Sequence, residues 1–190
     1  VDDSRLRWIN LEARVGSQSG PNNAGIAAAR GGIIAYLGHD DIWDPGHLAA
    51  IAEGFAKDPV PDFVTSGLIC HLPNGLPGGQ VFGLYPEGSL TAQYFFPPSC
   101  MAHRTGVVEG IGGWRMLFDI RAPVDVDMLL RAHAAGLRFR STGQVTVHKF
   151  TASDRYLCYV QQNAAEQEAM LADFDDPGHG QRIARKLDEA

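Results

Sequence analysis

Acidic side chains and a histidine are concentrated in residues 36–45 (YLGHDDIWDP), directly after a short apolar run. Asp40 and Asp41 are adjacent, and His39 precedes them. Carboxylates at a strand end are hard oxygen ligands that suit Mg²⁺ or Mn²⁺, which proteins hold through one or two carboxylates plus substrate phosphates. The alternative interpretation is a polar turn that only solubilises the chain. For Asp44, which a proline follows, the sequence favours a helix N-cap.

A second pair of carboxylates, Asp125 and Asp127, stands at the start of the segment VDVDMLLRAHAAG. Side chains two positions apart on a helix do not share a face, so one can point into a cleft while the other stabilises the positive helix N-terminus. A carboxylate in that position could accept a proton from a hydroxyl as a general base. Two acids that only complement the helix dipole are at least as good an interpretation.

Four further side chains have both a functional and a structural interpretation. His148 ends the apolar run QVTV and could reach the same rim as the acidic segment, although a lone histidine there more often makes a structural hydrogen bond. Arg104 and Lys149 could contact phosphate or remain solvated surface charges. Trp114, after two glycines, could line a sugar site or belong to the core.

The elements that must position these residues alternate along the chain. Strands are predicted at residues 7–11, 33–37, 62–69, 137–139 and 144–147. Helices are predicted at residues 24–30, 45–55, 125–135 and 156–174, with a polar tail after them. This alternation predicts an α/β domain with a mixed, mostly parallel sheet flanked by helices. We expect a core at residues 1–150, in which residues 71–98 form a loop or hairpin over the site, and a C-terminal helical extension at residues 151–190.

The composition excludes several classes of protein. The chain has 190 residues, of which 45% are hydrophobic and 20% charged, and its net charge is −6. No Lys/Arg-rich tract is present, which argues against a nucleic-acid partner, and no apolar run approaches the ~20 residues that span a bilayer. Three widely spaced cysteines favour reduced thiols in a cytoplasmic protein. Peripheral attachment to the inner membrane and a homodimer are both compatible with the sequence.

Residues 22–48 (NNAGIAAARGGIIAYLGHDDIWDPGHL) resemble the central segment of family 2 glycosyltransferases with the GT-A fold. In that family an Asn-x-Gly helix leads through a glycine to a strand that ends in an Asp-rich metal motif. The matching positions are Asn23, Gly25, Gly32, Leu37, Asp40, Asp41, Trp43, Pro45 and Leu48.

Residues 98–139 resemble the acceptor region of the same family, where an Arg, a short helix and Gly-Gly-Trp precede an acidic helix start. The matching positions are Arg104, Gly112, Gly113, Trp114, Asp125, Asp127, Arg131 and Gly136. His148 falls where many members have a histidine after the last core strand. Two motifs in the right order make this resemblance more specific than either motif alone.

The resemblance implies a GT-A-like, Rossmann-like fold and a metal-dependent, inverting glycosyltransferase of the hexosyltransferase type. It implies a nucleotide-sugar donor, a carbohydrate or lipid-linked acceptor, and Mg²⁺ or Mn²⁺ as cofactor. Carried over to this chain, the catalytic base is Asp125, the donor-binding residues are Asn23, Gly25, His39 and Asp40, the acceptor-binding residues are Trp114, Asp127 and Arg104, and the metal ligands are Asp40, Asp41 and His148.

Departures from the family pattern favour a second hypothesis. Gly38 stands where the family's metal motif begins with an aspartate, and Val124 replaces a glutamate beside Asp125. The family's nucleobase-binding strands are missing from the front of this sequence, so we expect an N-terminally truncated core. The alternative function is therefore a non-catalytic GT-A-like domain that binds a sugar, a nucleotide sugar or a protein partner.

Overall fold

The computed structural model describes residues 3–14, 16–57, 60–76, 79–86, 96–157, 160–161 and 163–189. The α-helices are α1 (Ser19–Ala28), α2 (His47–Ala56), α3 (Val107–Gly110), α4 (Val124–Ala134), α5 (Ala165–Asp173) and α6 (His179–Glu189). Short 3-10 helices are found at Pro73–Gly75, Pro98–Cys100, Leu117–Asp119 and Ala152–Asp154. None of the helices in these ranges combines the length and the apolar character needed to cross a bilayer.

The strands form one mixed sheet. They are β1 (Ile33–Ala35), β2 (Asp41–Trp43), β3 (Phe63–Cys70), β4 (Val81–Phe82), β5 (Met101–Arg104) and β6 (Phe139–Lys149). The order across the sheet is β1-β5-β3-β6-β2, and β4 pairs with the second half of β3. The α/β architecture with helices around a mixed sheet confirms the predicted fold class.

The direction of the strands differs from the prediction of a mostly parallel sheet. Among the described pairs, β3 and β6 run parallel, whereas β1–β5, β5–β3, β3–β4 and β6–β2 are antiparallel. Parallel neighbours need a long crossover connection, and the chain between β3 and β6 supplies one that contains α4. The direction of the other strands depends on how distant segments return to the sheet, which the composition of a short strand does not encode.

The centre of the molecule is β3, which is buried along most of its length. Successive side chains of β3 point to opposite faces of the sheet, except where the pairing with β6 shifts register between Thr65 and Leu68. Phe63 and Leu68 belong to the larger core cluster, and Val64 packs with Ile51 and Phe55 of α2 in a smaller one. Ile51 and Phe55 of α2 therefore face the sheet, whereas Leu48 of the same helix is 56% exposed.

Three predicted elements differ in the structure. Residues 7–11 form no strand, and the Trp8 side chain is 89% exposed. The predicted helix at 156–174 begins only at Ala165, and the polar tail forms α6. The first turn of α6 is held in place because His179 Nδ1–H and the Arg182 guanidinium both donate to the Asp173 carboxylate.

The N-cap of α2 also differs from the prediction. Gly46, not Asp44, is the N-cap of α2, and the Asp44 carboxylate bonds elsewhere. Within the loop or hairpin predicted at residues 71–98, Val81–Phe82 form β4, which pairs with β3. Residues 77–78 and 87–95 of this segment lie outside the described residues. The position of this segment over the site and the boundary at residue 150 stay predictions.

Candidate active site

One cleft collects most of the predicted donor-site residues. Its volume is about 1270 Å³, which is above the ~300–1,000 Å³ of most small-molecule pockets. It is lined by α1, β1, the turn after β1 and the segments at residues 97–99 and 123–125. Its polar and charged lining residues include Gly25, His39, Asp40, Asp41, Asp125 and Lys149. The two acidic motifs, from different halves of the chain, therefore reach one site.

Ser99 fixes the conformation of the first acidic motif. Its buried hydroxyl donates to Asp41 Oδ2 at 2.5 Å and accepts from the Gly38 N–H at 2.9 Å, and its carbonyl accepts from Trp43 Nε1–H at 2.8 Å. A Cβ at Gly38 would lie 2.9 Å from Asp41 Oδ2 and 3.2 Å from Ser99 Oγ. A side chain at position 38 would therefore collide with this network.

The carboxylate of Asp41 is already neutralised inside the protein. Lys149 Nζ lies 3.2 Å and 3.3 Å from its two oxygens, and only 2% of the Asp41 side chain is exposed. Burial alone would lower the pKa of Lys149, but Asp41 and Asp40 outweigh burial and raise it, so the lysine stays charged. Oxygens bonded to a lysine and a serine are poor ligands for a metal ion. This geometry does not support Asp41 as a ligand.

Asp40 is the carboxylate of this motif that can still bind an ion from the cleft. Its side chain is 21% exposed, and His39 Nδ1 lies 3.8 Å from Asp40 Oδ1. Mg²⁺ or Mn²⁺ needs only one or two protein carboxylates when substrate phosphates and water complete its shell. The described residues therefore fit such an ion through Asp40 alone.

Asp125 lies in the first turn of α4, where the Val126 backbone N–H donates to its Oδ1 at 2.9 Å. Burial raises the pKa of Asp125 above the ordinary value of an aspartate, although backbone hydrogen bonds and the charge of Lys149 act in the opposite direction. A carboxylate with a raised pKa is a stronger proton acceptor. The environment of Asp125 therefore suits a general base, and Lys149 acts on it electrostatically.

Asn22 is a candidate binding residue that the sequence analysis missed. It lines the cleft from α1, and its amide nitrogen is buried without a hydrogen-bond partner among the described residues. An unsatisfied buried donor costs about 1–3 kcal/mol unless a ligand or water completes it. The only sequence signal was its position beside Asn23 in the NNAG segment.

Asn23 and Trp114 connect the two motifs instead of lining the cleft. The Asn23 side-chain amide accepts from the Trp114 N–H at 2.9 Å and donates to the Trp114 carbonyl at 2.8 Å. Gly113, just before the tryptophan, has a φ of 69°, which favours glycine. Trp114 itself is only 2% exposed. In the structure both residues hold the Gly-Gly-Trp turn against α1, and the donor role of Asn23 and the acceptor role of Trp114 stay predictions.

A buried chain of hydrogen bonds runs from Trp114 to β5. Trp114 Nε1–H donates to the Tyr36 oxygen at 3.1 Å, and the Tyr36 hydroxyl contacts His103 Nε2 at 2.6 Å. His103 Nδ1 donates to the Arg104 carbonyl at 2.8 Å, because that oxygen can only accept. His103 Nε2 must then be the acceptor for Tyr36 O–H. Burial lowers the pKa of His103, which keeps the ring neutral as this chain requires.

Two predicted acceptor residues are committed to structural contacts. Asp127 pairs with Arg131 at 2.8 Å, and Arg131 in turn donates to the carbonyls of Ile111 and Gly113. Arg104 donates to backbone carbonyls near the C-terminal end of α2. Neither Asp127 nor Arg104 lines the cleft. Their predicted acceptor roles stay predictions.

His148 lies on the opposite side of the sheet from the Asp41 carboxylate. Asp41 pairs with Lys149 across β2 and β6, whereas Ile42 pairs with His148. Because adjacent residues of a strand point to opposite faces, His148 cannot share an ion with Asp41. Its Nε2 instead lies 2.9 Å from Asp44 Oδ1. The predicted ligand set of Asp40, Asp41 and His148 is thus separated.

Comparison with known sequences gives one local match. No family model matches the chain. A stretch of 43 residues is 46% identical to the "Uncharacterized glycosyltransferase alr2836" of Nostoc sp. (strain PCC 7120), and it covers 23% of this chain and 13% of that protein. The sequence similarity to a glycosyltransferase is therefore confined to a short stretch of the chain.

Comparison with solved structures supports the fold over most of the chain. Staphylococcus aureus TarS 1-349 matches with a TM-score of 0.51 and 17% identity, over 90% of this chain and 53% of that one. A second S. aureus TarS structure matches with a TM-score of 0.55 and 15% identity, over 86% of this chain and 31% of that one. At these identities the similarity shows the fold alone. The chain spans about half the length of TarS 1-349.

Proposed function

We propose that this chain carries the core of an inverting glycosyltransferase that moves a sugar from a nucleotide-diphosphate donor to a hydroxyl of a carbohydrate or lipid-linked acceptor. The observation that carries the proposal is the shared cleft, which Asp40, Asp125 and Lys149 all line. The local similarity to a glycosyltransferase supports the same class. The finer assignment to family 2 and to the GT-A fold rests on the two sequence motifs.

The charges of the cleft determine how a donor would bind. Three lining carboxylates, Asp40, Asp41 and Asp125, face one lysine, Lys149. An anionic diphosphate would be repelled by this surplus of negative charge unless a cation accompanied it. Bound Mg²⁺ or Mn²⁺, held by Asp40 and the diphosphate, would neutralise the charge that develops on the leaving group. Lys149, held in place by Asp41, would donate a hydrogen bond to the same phosphates.

The reaction itself needs one proton acceptor. The acceptor hydroxyl oxygen attacks C1 of the donor sugar from the face opposite the diphosphate, and the bond from C1 to the diphosphate oxygen breaks. The bonding electron pair leaves with the diphosphate, and the hydroxyl proton passes to the Asp125 carboxylate. A positioned general base typically contributes about 10²–10⁴-fold to the rate. The amide of Asn22, which has no partner among the described residues, would bind donor or acceptor oxygens.

Calorimetry with UDP, GDP and their sugars, with and without Mn²⁺, tests the donor site. We expect at least one nucleotide to bind, with an affinity that Mn²⁺ increases in the wild-type chain but not in Asp40→Asn. Glu109→Gln removes an exposed carboxylate of α3 and serves as the matched control. Absence of nucleotide binding in the folded wild-type chain would overturn the proposal.

A non-catalytic sugar-binding domain is the second candidate, and the Asp41–Lys149 pair favours it. Lys149 already balances the negative charge of Asp41 inside the cleft, so that carboxylate needs no bound metal ion. The two candidates differ in turnover. Release of nucleoside diphosphate from a bound nucleotide sugar, stimulated by a panel of carbohydrate acceptors, requires the transferase. Binding of the sugar nucleotide without release supports the binding domain.

A further inference from the structure

A second group of ligand-type side chains lies outside the cleft, where the C-terminal helices meet the sheet. Asp44 follows β2, His148 lies near the end of β6, and His179 begins α6. One ligand atom from each residue lies within 4.8 Å of the other two. None of the three lines the cleft. We call these three residues the histidine cluster.

Both histidines direct the same ring nitrogen at the same carboxylate oxygen. His148 Nε2 lies 2.9 Å from Asp44 Oδ1, and His179 Nε2 lies 3.8 Å from it. The His148 ring is 1% exposed, and the other two side chains are 16% and 23% exposed. Three ligand atoms therefore converge on one point that protein surrounds on most sides.

The other nitrogen of each ring is anchored by a partner outside the cluster. His179 Nδ1–H donates to Asp173 Oδ2 at 2.8 Å, so a neutral His179 presents the lone pair of Nε2 to Asp44. His148 Nδ1 lies 2.8 Å from His71 Nε2. The lone pair of a neutral His179 Nε2 faces Asp44 Oδ1 at 3.8 Å. These two electron-rich atoms repel each other unless a positive charge lies between them. Metal-bound histidines characteristically have their second nitrogen hydrogen-bonded in this way, often to a carboxylate.

We infer that Asp44, His148 and His179 bind one divalent transition-metal ion of the zinc class, which ties α5 and α6 to the β2–β6 edge of the sheet. Two imidazole nitrogens and one carboxylate oxygen match the ligand preference of Zn²⁺, whereas Mg²⁺ prefers oxygen alone. Asp173, at the end of α5, orients His179, and Phe174 packs its ring 5.0 Å from that of His179. The metal would therefore join both C-terminal helices to the core.

The competing explanation is a cluster held by hydrogen bonds alone, with a proton on His179 in place of the metal. Titration of the full, chelator-treated chain with Zn²⁺ by calorimetry separates the two explanations. We expect one Zn²⁺ per chain and a rise in the thermal unfolding temperature on binding. Co²⁺ bound in the same place should give the intense visible absorption bands of a four-coordinate, nitrogen-ligated ion.

Variants locate the ion. Asp44→Asn keeps a hydrogen-bond acceptor but loses the charge, and we expect a loss of Zn²⁺ affinity of about 100-fold or more, since outer partners alone account for ~10–100-fold. Asp173→Asn, which alters only the outer partner of His179, should lower the affinity about 10-fold. His133→Asn removes an exposed histidine of α4 and should change nothing.

Asp40→Asn distinguishes this cluster from the cleft, since it should leave the Zn²⁺ stoichiometry and affinity unchanged. The inference is overturned if the folded wild-type chain binds no stoichiometric Zn²⁺, or if binding is lost in Asp40→Asn. It is also overturned if Asp44→Asn and Asp173→Asn, both folded, bind Zn²⁺ as tightly as the wild type.

Discussion

The cleft and the histidine cluster draw on the same two strands but use opposite faces of them. Asp41 and Lys149 form the ion pair beside the cleft, whereas Asp44 and His148, one to three residues away, belong to the cluster. The alternation of β-strands divides a single acidic segment between two sites. Close spacing in the sequence therefore does not mean that side chains act together.

The two regions also differ in ligand chemistry. The cleft offers carboxylates and a lysine, which suit a hard cation and a diphosphate. The cluster offers imidazole nitrogens, which suit zinc-class ions. The cleft is open and large, and the cluster is small and mostly buried. We expect perturbations of the two regions to be independent, and the following predictions test that independence.

The largest expected effect is that of Asp125→Asn. Loss of the general base should lower kcat/KM for sugar transfer by about 10²–10⁴-fold. Because the amide keeps the size of the carboxylate, donor binding by calorimetry and Zn²⁺ affinity should both stay as in the wild type. A variant that is folded but has lost donor binding would contradict the role assigned to Asp125.

Lys149→Met should be the most damaging change to the stability of the cleft. It leaves the Asp41 carboxylate buried with Ser99 as its remaining partner, at a cost of about 2–3 kcal/mol in unfolding free energy. This value lies below that of a fully buried pair because a quarter of the Lys149 side chain is exposed. Urea unfolding measures it. Adding Asp41→Asn to the same variant should restore part of the loss, and failure to do so would show that the pair is not coupled.

Tyr36→Phe tests the buried hydrogen-bond chain behind the cleft. The change removes the acceptor of Trp114 Nε1–H and the donor to His103 Nε2, and leaves both groups buried and unpaired. We expect a loss of about 1–3 kcal/mol in unfolding free energy. Zn²⁺ affinity should not change. An unchanged midpoint of urea unfolding would mean that the chain contributes nothing to stability.

The smallest expected effect is on the pH dependence of stability. Burial lowers the pKa of His103 below its ordinary value of 6.5. Below that pH the unfolded chain binds the proton more readily than the folded one, so stability falls as pH decreases, by at most about 1.4 kcal/mol per pH unit. The effect is absent above the ordinary histidine range. Urea unfolding between pH 5 and pH 8 should show a smaller slope for His103→Gln than for the exposed control His133→Asn.

The sequence predicted the architecture and the central elements, but not the directions of the strands. The buried run at β3 was correct because hydrophobicity along a strand reflects burial directly. The apolar run at β1 was correct as a strand, but only Ile34 of it is buried. The antiparallel pairings of the sheet were not predicted, because pairing partners far apart in sequence leave no local pattern. For the same reason α6 was mistaken for a polar tail: its anchor is a contact between His179 and Asp173, not an apolar face.

The candidate site was predicted only in part, again because contacts between distant residues leave no local pattern in the sequence. The motifs brought Asp40, His39, Gly25 and Asp125 to one cleft. Residue type alone could not tell that Trp114 is buried, or that Asn23 binds its backbone. Asp44 was interpreted as a helix cap, because a following proline is a local signal and a partner on β6 is not.

A crystal structure of the chain with Mn²⁺ and the nucleotide sugar selected by calorimetry tests the central claim most directly. We predict an anomalous Mn²⁺ peak between Asp40 and the diphosphate, with Lys149 beside the phosphates and the sugar in contact with Asp125. A nucleotide bound outside this cleft, or a donor sugar that does not reach Asp125, would contradict the account.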